Sequence, residues 1–132
     1  MTPLQTSPPA RRVLIVEDRQ EQIDLFAAIL GLRFVVATAM SAEIGVSLLR
    51  DDLLAVVSDF GLGGRDGLWL LEQARATTPA ARRVLVTGHP AEEFVEPLRS
   101  GLVQVLLTKP FKITDLLTAI GELEFREPHL PS

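Results

Sequence analysis

The chain contains no cysteine and no tyrosine, and a single tryptophan among its 132 residues. Without thiols there is no disulfide, no thiolate metal site and no cysteine nucleophile, a composition that suits a reducing, cytoplasmic setting. No apolar run approaches the roughly 18 residues of a membrane span, and the opening MTPLQTSPPA lacks the basic start and apolar centre of a signal peptide. Positive charge is also scarce: the net charge is −4, the pI is near 5.1, and the basic pairs Arg11-Arg12 and Arg82-Arg83 stand apart. Direct binding to nucleic acid or to a membrane is therefore not expected, and a protein partner is.

What remains is a globular balance, 47% hydrophobic and 23% charged, in a chain long enough for one well-buried core. Residues 1–10 carry three prolines and no periodicity and read as a flexible leader; residues 126–132, ending EPHLPS, read as a tail; residues 11–125 form the expected domain. Within it five short apolar runs recur: Val13 to Val16, Phe34 to Ala37, Leu54 to Val57, Val84 to Val86, and Val103 to Leu107. Rich in β-branched residues, they read as strands buried on both faces.

Segments with helical spacing separate them. Leu25 and Ile29 recur at i, i+4, and Gly31 closes that segment. Ser41 is placed to N-cap a second helix running to about Arg50; a third starts after Gly67; a fourth runs from about Ala91 to Ser100; a fifth, from about Ile113 to Glu124, turns Leu116, Leu117 and Ile120 toward the core. Strand and helix alternate five times, which predicts a doubly wound α/β domain with a parallel sheet and helices on both faces.

In such a sheet the functional crevice lies beyond the carboxyl ends of the strands. Glu17 and Asp18 follow the first strand, Ser58 and Asp59 the third, Thr87 the fourth, and Thr108 and Lys109 the fifth. Topology alone brings three acids, a hydroxyl and a lysine to one end. Two carboxylates held 4 Å apart repel by about 4 kcal/mol at an effective dielectric near 20, so such a cluster calls for a cation. Hard oxygen ligands without histidine or cysteine point to Mg2+, and Mg2+ beside a lysine and a hydroxyl points to phosphoryl chemistry. The glycines at 61, 63, 64 and 67 match neither a dinucleotide fingerprint nor a nucleotide P-loop in spacing or position. Asp59, rather than the glycines, is the candidate reactive group.

In this order, VEDRQ, SDFGLGGRDGL, VTG and LLTKPF resemble the receiver domain of two-component response regulators, over roughly residues 11–125. The resemblance implies a flavodoxin-like fold with strand order 2-1-3-4-5. It implies that Asp59 accepts a phosphoryl group from a phosphohistidine on a sensor histidine kinase or phosphotransfer protein. Glu17, Asp18, Asp59 and the backbone carbonyl of Gly61 would hold Mg2+; Thr87 and Lys109 would bind the phosphoryl oxygens; Gly88 would leave the acceptor open; and Pro110 would follow a cis bond. The chain would be no enzyme beyond Mg2+-assisted self-phosphorylation and autodephosphorylation.

Two positions depart from the family pattern. The residue three before the lysine, commonly Tyr or Phe in receivers, is Leu106, and the proline usual four residues after the acceptor is replaced by Gly63, which adds backbone freedom beside the site. Ile23 and Ala27, off the Leu25 and Ile29 stripe, are the expected kinase-docking surface. The output expected is that of a stand-alone switch. It would bind a downstream protein, or a second copy of itself, through the fourth helix, fifth strand and fifth helix, or pass phosphate along a relay. The alternatives are a degenerate receiver that binds partners without phosphorylation and an aspartate-nucleophile phosphatase.

Overall fold

A computed structural model describes residues 11–121. The expected leader, the tail, and the end of the fifth helix from Glu122 to Glu124 lie outside the described residues. The strands are β1 (Arg12–Val16), β2 (Val35–Ala39), β3 (Leu53–Asp59), β4 (Arg82–Thr87) and β5 (Val105–Thr108). The helices are α1 (Gln20–Leu30), α2 (Ala42–Ser47), α3 (Gly67–Thr77), α4 (Val95–Arg99) and α5 (Ile113–Ile120). All strands run parallel in the order β2-β1-β3-β4-β5, as expected.

The central strands are buried on both faces because successive side chains point to opposite sides. On one side Leu14, Val16, Val56 and Leu85 pack with Ala42 of α2 and with Leu70, Leu71 and Ala74 of α3. On the other, Val13, Ile15, Val57, Val84 and Val86 pack with Leu30 of α1 and with Leu116 and Ile120 of α5. Each fully buried Leu or Val contributes about 1.5–3 kcal/mol through loss of contact with water.

Three helices differ from their sequence expectation, α2 by ending at Ser47 rather than about Arg50. The predicted fourth helix divides into a 3-10 turn (Ala91–Phe94) and the short α4. Pro97 accounts for this, since its ring would clash with the carbonyl four residues back, that of Glu93, in a continuous α-helix.

The phase of α1 is also different. Ile23 is only 5% exposed, Leu30 is fully buried and Leu25 is 51% exposed, while Phe26 and Ala27 are half-buried. Residues 23, 26, 27 and 30 form a longer apolar stripe at i, i+3, i+4 and i+7 than Leu25 and Ile29 do, and the helix buries the larger one. Ile23 is therefore a core residue, and its expected place on a docking surface is corrected.

Candidate functional site

The register of the sheet decides what meets at its carboxyl edge. Val16 lies opposite Ser58, so Glu17 and Asp59 leave their strands at the same level; Asp59 lies opposite Val86, and Thr87 opposite Thr108. The apolar runs of β1, β3, β4 and β5 end at or near this edge in residues that cannot be buried cheaply without a partner.

Carboxylate oxygens of Glu17, Asp18 and Asp59 lie within 4.8 Å of one another. Glu17 is 3% exposed, and its Oε1 is buried with no hydrogen-bond partner among the described residues. Its carboxyl is pushed up from an ordinary 4.5 to about 7, first by burial, then by the negative charge of Asp59 and hydrogen bonding to it. The Lys109 charge acts in the opposite direction, and Asp18 adds a smaller upward push. The Nζ of Lys109 lies 3.2 Å from Asp59 Oδ1, and one lysine leaves three clustered carboxylates short of positive charge. An orphaned, buried carboxylate oxygen in an all-oxygen cluster fits a hard divalent cation, which would supply the missing partner.

Thr87 is buried, and its Oγ1 accepts a hydrogen bond from the His89 backbone N–H at 2.9 Å. The Lys109 N–H donates to the Thr87 carbonyl at 2.8 Å, fastening the end of β5 to β4, and the Lys109–Pro110 bond is cis. Gly61 and Gly88 are exposed, and an added Cβ at either would meet no atom within 4 Å. Leu106 is half-buried and pairs with Leu85, packing into the core at the position where receivers commonly carry an aromatic ring.

The loop after Asp59 is more constrained than its glycines suggest. Gly63 has φ +70°, and Gly64 N–H donates to the Leu62 carbonyl at 2.7 Å, which closes a γ-turn. Proline, held near −65°, cannot take this conformation. Leu62 is buried, and the Asp66 side chain N-caps α3 by accepting from Trp69 N–H at 2.9 Å. At Gly67 a Cβ would collide with the Asp59 carbonyl, so only glycine lets α3 start this close to the acceptor strand. Asp66 before Gly67 is legible in sequence as a capping pair. Glu43, whose Oε1 accepts the Arg65 N–H at 3.1 Å across 22 positions of chain, carries no such local signal.

The family model for the response regulator receiver domain matches residues 13–121. The chain belongs to this receiver family. It is 34% identical over 126 residues to the alginate biosynthesis transcriptional regulatory protein AlgB of Pseudomonas aeruginosa, and 32% identical over 131 residues to the response regulator protein FleR of the same organism. Each match covers 92% of this chain but only 28% and 27% of the relatives, so the chain spans little more than a quarter of their length. A CheY-like receiver domain structure from Methanospirillum hungatei superposes with a TM-score of 0.77 at 27% identity, covering 86% of this chain and 92% of that one. Receiver domains are signalling domains of two-component systems that work with histidine kinases or phosphotransfer proteins, and they are not enzymes in the ordinary sense. Membership leaves the aspartate-nucleophile phosphatase without support. Among the described residues, no helix is long and apolar enough to cross a membrane.

Proposed function

We propose that this receiver is a phosphorylation-dependent switch in which Asp59 accepts a phosphoryl group from a phosphohistidine of a kinase or phosphotransfer protein. The observation that carries the reading is the contact set around Asp59: Lys109 Nζ at 3.2 Å, and Glu17 and Asp18 gathered within 4.8 Å with a buried oxygen lacking a partner. In the reaction a carboxylate oxygen of Asp59 attacks phosphorus, an O–P bond forms, and the N–P bond breaks with its electron pair leaving on the imidazole, which takes up a proton. The product is an acyl phosphate that water can hydrolyse, so the mark is reversible.

Glu17, Asp18, Asp59 and the Gly61 carbonyl are the groups that would hold Mg2+. Bound there, the ion would neutralise charge on the transferring group. Lys109 contributes a fixed positive charge beside the acceptor, and the carboxylates and lysine together orient the in-line attack. Thr87 donates its hydroxyl to the phosphoryl oxygens. Because Thr87 Oγ1 also accepts the His89 N–H, turning that hydroxyl toward a phosphoryl group would draw on the loop that leads into α4. Output follows as a change in the face made by α4, β5 and α5, read by a downstream protein, by a second copy or by the next member of a relay. A few kcal/mol of differential binding is enough to shift two such states.

The test is to incubate the chain with Mg2+ and either acetyl phosphate or a phosphorylated histidine kinase, then weigh it intact beside Asp59→Asn. The expected result is a phosphoryl adduct on the wild type alone. No adduct from either donor would overturn the reading in favour of a receiver that binds partners unphosphorylated.

A further inference from the structure

We propose that Glu43 is a positioning residue for the phosphoryl site, fastening from α2 the glycine turn that carries the Gly61 carbonyl. The inference rests on the reading of Asp59 as a Mg2+-dependent acceptor and extends it to a residue outside the motifs that define that site.

The turn is anchored at both ends. Phe60 N–H donates to the Val86 carbonyl at 2.9 Å, and Gly67 N–H donates to the Phe60 carbonyl at 2.8 Å. Its middle, from Gly63 to Arg65, is exposed and contains two adjacent glycines, the residues that lose most conformational freedom on ordering. There the Glu43 carboxylate reaches across from another helix and accepts the Arg65 N–H at 3.1 Å. Gly64 lies under the same carboxylate, since a Cβ on it would sit 3.4 Å from both Glu43 oxygens. A Cβ on Gly63 would lie 4.0 Å from Asp18 Oδ2, so the fastened turn runs alongside the acid cluster.

The base of the clamp is rigid. Ser41 N-caps α2, accepting the Ile44 N–H at 3.1 Å, and Ala42 is fully buried. Gly45 packs so tightly on β1 that an added Cβ would lie 3.0 Å from Val16 Cγ2, one residue before Glu17. Glu43 thus refers the turn to the same strand that delivers Glu17 and Asp18. Where a proline would stiffen the loop from within, Gly63 takes a conformation closed to proline, and the restraint comes from α2 instead.

The experiment is a calorimetric Mg2+ titration of the wild type, Glu43→Ala and Glu43→Gln, with amide exchange at Arg65 N–H measured in metal-free protein. Glu43 is exposed, so both variants should fold. Glu43→Ala is expected to weaken Mg2+ binding roughly tenfold, the lower end of the loss seen when a group that orients a ligand is removed, and to speed exchange at Arg65. Glu43→Gln keeps an acceptor oxygen and should stay within about twofold of wild type on both measures. Equal losses in the two variants would assign the effect to the missing negative charge and overturn the clamp, as would unchanged binding and exchange in Glu43→Ala. A wild type that bound no Mg2+ would sink the site reading and the positioning role together. The Arg65 exchange rate would still report whether the clamp itself exists.

Discussion

The two ends of the sheet treat their charges in opposite ways. At the amino end, Asp52 receives Arg12 Nε at 2.9 Å and Arg50 Nε at 3.1 Å, opposite charges in partial contact with solvent. Arg83, 6% exposed, has no such carboxylate contact among the described residues. Instead its Nε donates to the Leu102 carbonyl at 2.9 Å and its Nη2 to the Gly101 carbonyl at 3.0 Å, just beyond α4. Burial, and then the nearby Arg75 charge, lowers its pKa below the usual guanidinium range, and the two carbonyls accept hydrogen bonds from its N–H groups. At the carboxyl end, three acids of one sign meet one lysine, and the most buried of them keeps an oxygen without a partner. The satisfied end is built for stability. The frustrated end stores an unfavourable charge arrangement that a bound cation would relieve, the pattern expected where a fold has been shaped for binding.

The largest expected break in this contrast comes from Glu17→Gln. It removes the buried charge, so it should weaken Mg2+ binding by at least an order of magnitude while raising the thermal midpoint of the metal-free chain at about pH 8. Loss of both binding and stability would mean that Glu17 is structural, and the two ends would no longer differ in kind. Arg83→Ala should do the reverse, costing roughly 2–3 kcal/mol by denaturant titration because it strips charge-assisted hydrogen bonds from the buried Leu102 and half-buried Gly101 carbonyls, with Mg2+ affinity unchanged.

A pH scan separates the ends without mutation. In metal-free protein Glu17 keeps in the folded state a proton that the unfolded chain has released, across the window from 4.5 to about 7. Its contribution to stability is therefore full below that window and is lost as pH rises through it. Saturating Mg2+ should flatten the slope, and a slope indifferent to Mg2+ would count against Glu17 as a ligand. Asp52→Asn should have the smallest effect, about 0–1 kcal/mol and shrinking with added salt, as exposed ion pairs do.

Much of this was legible in the chain. The five apolar runs place the strands within a residue or two, and because each is followed by a polar residue, the doubly wound topology gathers Glu17, Asp18, Asp59, Thr87 and Lys109 at one edge. The phase of α1 was not, because two stripes with helical spacing coexist there and only the sheet chooses between them. The Leu25 and Ile29 repeat is the shorter of the two, and packing against the sheet buries the longer one, Ile23 included. The loop after Asp59 misled in a similar way: its glycines imply freedom, but the γ-turn at Gly63, the burial of Leu62 and the reach of Glu43 restrain it.

By itself, then, the sequence determined the alternation of elements and the list of polar residues at the strand ends, because both follow from short-range patterns of apolar and polar residues along one strand or helix. Tertiary structure alone decided how deeply Glu17 is buried, which face of α1 is covered and how Arg65 is tied to Glu43. Those depend on desolvation and on contacts between residues far apart in the chain, which no local pattern encodes.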